Sequence, residues 1–302
     1  MIGFIGLGQL GSRLATLLVD SGRDVMVYDL SDSAIQTMTD RGAAGAKSCI
    51  EVGKQCDTVL TCLPSPQASE AVMLGDNGLL SAMSPGSTWI ETSTISVEGT
   101  LRMAGVAESC GIHMLEAPMT GGVHRAARGE MTIFAGGPEA LFEQHRTLLE
   151  TIGGEVIYLG ETGNASLVKV ISNLLCLVDL VAAGEALMLA KKGGIDLARC
   201  YQAICASSGT SREFEDWVPQ ILNGTLNTGF TTDLCLKDLG FAAEMGHAHG
   251  VPLRLTELVK GLFEQSRDRY GGDAWTPHVI RMLEEEAGDE LRAEGFPDVI
   301  NG

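Results

Sequence analysis

The chain has 302 residues, 45% of them hydrophobic, and 39 acidic against 21 basic residues give a formal charge of −18. That apolar content excludes a disordered chain, the length allows two domains, and the negative charge repels nucleic-acid phosphates and anionic membrane surfaces alike. A small anionic substrate stays allowed, because a local cluster of cations outweighs a distant net charge that salt screens.

The opening "MIGFIGLGQLG" supplies an apolar run (Ile2, Phe4, Ile5) that predicts a strand, followed at once by Gly6, Gly8 and Gly11 in G-x-G-x-x-G spacing. Leu14, Leu17 and Leu18 then fall at helical spacing, Gly22 is a helix stop, and "DVMVYD" resumes as a second strand closing on Asp29. A strand, a glycine loop, a helix and an acid about 20 residues on form the dinucleotide-binding fingerprint. Its glycines allow a tight turn and close backbone approach to a pyrophosphate, which the helix N-terminus also favours. The backbone of Gly6, Leu7, Gly8, Gln9, Leu10 and Gly11 is therefore assigned to the phosphates, and Asp29 to the adenosine ribose hydroxyls. No arginine immediately follows Asp29; Leu30, Ser31, Asp32 and Ser33 do, so a 2'-phosphate meets negative charge and NAD is favoured over NADP. The competing reading is a nucleotide-free turn with Asp29 as a helix cap.

The sequence runs directly into this motif, with no export signal, and its eight cysteines are scattered without zinc-type spacing, so reduced thiols and a cytoplasmic location are expected. Further strands are expected over 57–64, 87–93, 111–118, 131–137 and 154–160, each ending in proline, glycine or hydroxyl residues that put loops at the ligand-facing strand ends. After residue 160 the pattern turns helical, over 163–190, about 195–206, 233–249, 252–270 and 276–292. The fold expected is α/β, a Rossmann-type doubly wound sheet over 1–160 followed by an all-α domain over 161–302 serving substrate binding and oligomerisation. Asp179 and Glu185 interrupt the oily segment 163–190, which reads as a buried helix and not a membrane span. The late "EEEAGDE" reads as a solvated helix face.

Lys169 and Asn173 are four apart, project from one helix face and can address one substrate atom. An ordinary snorkelling lysine beside a surface amide is the alternative. Burial on an oily helix, with a second cation such as Lys237 nearby, would lower the proton affinity of Lys169 and make it a usable base. In "TGGV", Thr120, Gly121 and Gly122 let main-chain NH groups converge on a carboxylate, unless they form only a plain turn. Arg125 and Arg128 read as salt-bridge residues, His124 as structural, His247 and His249 as a helix end, and Lys237–Asp238 could equally be an exposed pair.

In order along the chain, "GFIGLGQLG", "CLPS", "ETSTIS", "EAPMTGGVHRAARGEMTIFAGG", "GNASLVKVISN" and "LKDLGFAAE" resemble the motifs of the β-hydroxyacid dehydrogenases, the group that contains 3-hydroxyisobutyrate dehydrogenase and tartronate semialdehyde reductase. The resemblance spans nearly the whole chain. It implies hydride transfer between NAD and a small 3-hydroxy acid and its semialdehyde or keto partner. Lys169 would be the catalytic acid or base and Asn173 its companion. Thr120, Gly121 and Gly122 would hold the substrate carboxylate, Thr94 would sit near the nicotinamide, Leu63 and Pro64 would lie along the dinucleotide, and Lys237 would close over cofactor and substrate. Homodimers or homotetramers are usual in the family. Met119-Thr120 stands where Val-Ser is commoner, a conservative change, and Arg212 replaces an apolar or aromatic residue, which points to a polar substituent on the substrate. Ser172 replaces the histidine of the related 6-phosphogluconate dehydrogenase, against a phosphosugar acid. A reductase of an imine or of a sulfonated or longer aldehyde is the enzymatic alternative, and a non-catalytic dinucleotide-binding protein the non-enzymatic one.

Overall fold

The computed structural model describes residues 1–75 and 78–298, which divide into two compact units, Met1–Lys169 and Val170–Gly302. In the first unit β1 (Ile2–Ile5), α1 (Gly11–Asp20), β2 (Val25–Tyr28), α2 (Asp32–Asp40), β3 (Ala44–Gly45), α3 (Cys49–Gln55), β4 (Thr58–Thr61), α4 (Pro66–Leu74), β5 (Thr88–Glu91), α5 (Val97–Ser109) and β6 (His113–Glu116) alternate strand and helix. The six strands are parallel, in the order β3-β2-β1-β4-β5-β6. The order reverses between β1 and β4, which opens a crevice beyond their carboxyl ends where ligands of such sheets bind.

These strands are apolar almost throughout because helices cover both faces. Phe4, Val27, Leu60, Ile90 and Leu115 bury one face with Leu14 and Leu18 of α1. Ile5, Met26, Val59, Trp89 and Met114, one residue along in each strand, bury the other with Val52 of α3 and Met103 of α5.

The remaining strands of this unit do not extend that sheet. Following β6 come β7 (Met119–Thr120), α6 (Gly122–Ala126), β8 (Thr132–Ala135), α7 (Glu139–Ile152) and β9 (Glu155–Tyr158). The strands form a separate three-stranded sheet, with β7 antiparallel and β9 parallel to β8.

The helical region comprises α8 (Asn164–Lys192), α9 (Leu197–Cys205), α10 (Arg212–Leu222), α11 (Thr232–Ala248), α12 (Arg254–Tyr270) and α13 (His278–Ala287). The unit boundary falls inside α8, after Lys169. Of these helices, α10 is absent from the sequence expectation. Ser211 caps it by accepting from the Phe214 amide at 3.1 Å, and Phe214, Trp217, Val218, Ile221 and Leu222 form its buried face. Pro219 inside it has no amide to offer the Glu215 carbonyl four residues back, and the Tyr201 hydroxyl donates to that oxygen instead, at 3.0 Å.

Two expectations need correction. By length and composition α8 could cross a membrane, with a window of mean hydropathy 1.9, and it is not the fully buried helix its sequence suggests. Leu177, Leu180 and Leu187 enter the helical core, whereas Ile171, Leu175 and Leu189 are 45%, 56% and 76% exposed, because a single helix turns apolar residues to every side. The "EEEAGDE" segment is not simply solvated either. Glu284 is buried and accepts from the Leu291 amide at 2.7 Å and the Arg292 guanidinium at 2.6 Å, which pins the chain beyond α13. Arg292→Ala should therefore lower stability by about 1–3 kcal/mol, the usual cost of depriving a buried acceptor of its partner. Urea unfolding measures it, and a loss below about 0.5 kcal/mol would contradict this role.

Candidate active site

The glycines of the first loop each answer a different steric demand. Gly6 has φ +98°, and a Cβ there would lie 2.3 Å from the Cys62 carbonyl oxygen. At Gly11 a Cβ would lie 2.0 Å from the Gly6 carbonyl oxygen, so helix α1 can start against the end of β1 only without one. A Cβ at Gly8 would meet nothing within 4 Å. There the loop backbone borders open space, and Leu10 at the head of α1 contributes no side-chain cap. The exposed loop and the positive end of the helix dipole fit a dinucleotide pyrophosphate.

Asp29, just beyond β2, is locked to this loop. The Leu7 amide donates to its Oδ2 at 2.6 Å and the Ser31 amide to its Oδ1 at 2.8 Å. Ser31, not Asp29, caps α2, which removes the helix-cap reading of Asp29. Asp29 lines a cleft of about 450 Å³ with Tyr28, Asp32, Gln36 and Lys47. Lys47 is a cation that motif reading overlooks, since it lies far along the chain from Asp29.

The loops after β4 and β5 are tied together. The Leu63 amide donates to Ser93 Oγ at 2.8 Å, and the Ser93 amide donates to Glu91 Oε1, also at 2.8 Å. Thr92 Oγ1 donates to the Thr61 carbonyl at 2.7 Å. Pro64 continues the first of these loops and the half-buried Thr94 the second. Glu91 itself is only 2% exposed. Its Oε2 makes no hydrogen bond of ordinary geometry, although the hydroxyls of Thr61 and Ser69 face the carboxyl. Burial raises its pKa, opposed by bonds from Ser93 and those hydroxyls. The neighbouring Cys62 thiol is pushed up to about 12, chiefly by burial, so it is no nucleophile at neutral pH.

Thr120 ends β7, and Gly121 and Gly122 follow with φ +130° and +76°, conformations that favour glycine. A Cβ at Gly121 would crowd Arg125 Cδ at 3.1 Å and Met131 Sδ at 3.2 Å. Lys169 stands in the second turn of α8 and is 7% exposed. All these residues belong to the first unit.

Asn173, one turn further along α8 and also 7% exposed, belongs to the second unit, where its amide Nδ2 donates to Asp238 Oδ2 at 2.5 Å. Lys237 Nζ lies 2.9 Å from Asp238 Oδ1, an ion pair without good hydrogen-bond alignment. Their side chains are 18% and 2% exposed, so Lys237–Asp238 is not the exposed pair that was an alternative in sequence. Glu91 and Ser93 are absent from the sequence reading although both lie inside a quoted motif, and Asp238 enters it only as half of an exposed pair. The signal available was a polar residue at the carboxyl end of an apolar strand, or one adjoining a candidate site residue.

Comparison with known proteins follows the same division. Residues 1–160 match the family described as the NAD binding domain of 6-phosphogluconate dehydrogenase, and residues 163–283 the one described as NAD-binding of NADP-dependent 3-hydroxyisobutyrate dehydrogenase. The chain is 35% identical over 288 residues to 2-(hydroxymethyl)glutarate dehydrogenase of Eubacterium barkeri, covering 95% of this chain and 96% of that protein. It is 36% identical over 283 residues to L-threonate dehydrogenase of Cupriavidus necator, covering 93% and 95%. The solved structure of Mycobacterium tuberculosis 3-hydroxyisobutyrate dehydrogenase with L-serine superposes with a TM-score of 0.83 at 28% identity, covering 93% of this chain and 98% of that one.

The buried carboxyl of Glu91 gives a pH test. An acid whose pKa is raised on folding stabilises the fold below its ordinary value, here 4.5, and that contribution is lost as pH rises through the folded-state value. Glu91→Gln keeps the shape without the titration. The melting temperature of the variant should therefore gain on the unsubstituted protein as pH climbs from about 4.5, and a gap constant between about pH 4 and pH 8 would refute the assignment.

Proposed function

The chain belongs to the β-hydroxyacid dehydrogenase family, oxidoreductases acting on a CH–OH group with a nicotinamide dinucleotide, and from that premise we propose how its residues divide the work. The substrate is a small 3-hydroxy acid and its semialdehyde or keto partner, and the cofactor is NAD. 2-(Hydroxymethyl)glutarate, L-threonate, 3-hydroxyisobutyrate and L-serine, named with the relatives above, each carry a hydroxyl on the carbon β to a carboxylate. The backbone of Gly6, Leu7, Gly8, Gln9, Leu10 and Gly11 would hold the pyrophosphate and Asp29 the ribose hydroxyls. Leu63, Pro64 and Thr94 would flank the dinucleotide, and Lys237 would be a further cofactor-binding residue. When bound, NAD supplies the hydride acceptor.

Thr120, Gly121 and Gly122 hold the substrate carboxylate through main-chain amides. Lys169 takes the hydroxyl proton as the carbon–hydrogen bond breaks and returns it in the reverse direction. Asn173 presents its carbonyl oxygen to the substrate hydroxyl, because its NH₂ group is engaged by Asp238. The observation that carries this assignment is an amine at 7% exposure on an apolar helix, one turn before a buried, oriented amide. The exposed Ile171, Leu175 and Leu189 of α8 support a homodimer or homotetramer in which a second copy covers them. NAD as redox partner and scattered cysteines support the cytoplasm.

Lys169→Ala should cut turnover by about 100-fold or more while leaving NAD affinity unchanged, as measured by initial rates and by fluorescence titration of NADH. Near-normal turnover in that variant would remove the proton-transfer role. Initial rates with the four hydroxy acids and with NAD against NADP should give oxidation of at least one of them with a preference for NAD. Tight NADH binding with no oxidation across the panel would favour a non-catalytic protein instead.

A further inference from the structure

We infer that Glu116, at the end of β6, is the positioning residue that sets Lys169 against the bound substrate; this rests on the proton-transfer role proposed for Lys169. The first residues of an α-helix carry amides with no partner inside the helix. At the head of α8 they are taken up by one side chain from a distant strand. Glu116 Oε1 accepts from the amides of Gly163 at 2.5 Å and Ala165 at 3.1 Å, and Oε2 from the Ser166 amide at 2.9 Å and the Ser166 hydroxyl at 2.5 Å. Glu116 is 1% exposed, so bulk solvent does not reach it. Four donors on one buried carboxyl define an acceptor with both oxygens in use, and they fix the start of α8 along its axis and in rotation.

The base of that side chain cannot move. Glu116 exchanges two backbone hydrogen bonds with Gly136, both 3.0 Å, the Ala117 amide donates to the Glu91 carbonyl at 2.7 Å, and the Phe134 amide donates to the Pro118 carbonyl at 2.9 Å. A Cβ on Gly136 would lie 2.3 Å from Glu116 Oε1, so the facing strand is glycine where the carboxyl passes. Thr120, the first residue of the proposed carboxylate loop, follows only four residues after Glu116 on this pinned segment.

The other end of the relay reaches α5. Ser166 gives its proton to Glu116, so Thr100 Oγ1, 2.9 Å away, donates to Ser166. Thr100 lies in the first turns of α5, six residues after Thr94. Lys169 follows Ser166 by three residues, on the same helix face and about 4.5 Å along the axis. One carboxyl therefore joins three segments: the loop for the substrate carboxylate, the helix that bears the amine, and the helix that follows the proposed nicotinamide-side loop. A displacement of about 1 Å at a reacting group costs on the order of 100-fold in rate. Loss of the carboxyl would free α8 and not the loop, because the loop keeps its own backbone bonds.

The test is a double-mutant cycle on the full-length enzyme. Glu116→Gln puts an NH₂ group among amide donors, and should lower kcat by about 100-fold while the KM for NAD and for the hydroxy acid stay within about threefold. In a Lys169→Ala background, with residual hydride transfer followed at high enzyme concentration, Glu116→Gln should have almost no further effect. A residue that only stabilises the fold would lower the melting temperature and act equally in both backgrounds. Ser166→Ala, which removes one donor and keeps the amides, serves if Glu116→Gln does not fold, and should lower kcat by about tenfold with unchanged KM. Unchanged kcat in the folded variant, or an equal loss in both backgrounds, overturns the inference while Lys169 keeps its role. Full turnover in Lys169→Ala overturns both.

Discussion

A carboxyl group taken out of water costs several kcal/mol unless donors replace the lost water. The sheet does this twice on neighbouring strands, for Glu91 and Glu116 are register partners at the ends of β5 and β6. Their solutions differ. Glu116 gathers four donors from the head of α8, whereas Glu91 receives one amide and sits among hydroxyls with one oxygen unsatisfied. The second arrangement disfavours the charged form, which agrees with the upward shift at Glu91. In both cases the donors come from the segments proposed to meet cofactor and substrate. Satisfying a buried acid and fixing a loop are the same act.

Steric exclusion completes what those bonds begin. The Cys62 carbonyl packs where Gly6 has no side chain, and the Gly6 carbonyl packs where Gly11 has none. The first loop is thereby seated on the second, and Leu63 of the second is bonded to Ser93 of the third. Asp29 adds a fourth member through the Leu7 amide. Disturbing any one of these loops therefore disturbs its neighbour.

The sequence disclosed those features that depend on local spacing. The strand–glycine–helix opening, Asp29 at the end of β2 and the long helix carrying Lys169 all follow from periods and intervals within about 30 residues. The rest depends on distant partners. Nothing near Glu116 shows that its donors lie at residues 163 to 166, nor does "EEEAGDE" show that Glu284 turns inward to meet Arg292. Helix α10 is a different case. Its apolar residues at 214, 217, 218, 221 and 222 have helical spacing, but Pro219 argues against a helix until the Tyr201 hydroxyl is known to replace the missing donor. The small sheet escaped for another reason: β7 is two residues long, too short for an alternating pattern to announce its antiparallel pairing.

Asp238 changes the electrostatics expected around the helical unit's contribution. In sequence, Lys237 reads as a second cation whose charge repels that of Lys169. In the structure its ammonium lies 2.9 Å from a carboxylate that is itself almost wholly buried, which weakens its outward field. The same carboxylate decides the orientation of Asn173. A carboxylate can only accept from the amide, so the NH₂ group must face Asp238 and the carbonyl must face away. A neutral acceptor held this way can receive a hydrogen bond from a substrate hydroxyl without competing for its proton. The proton is then left to the only strongly basic group in the proposed pair, the amine of Lys169.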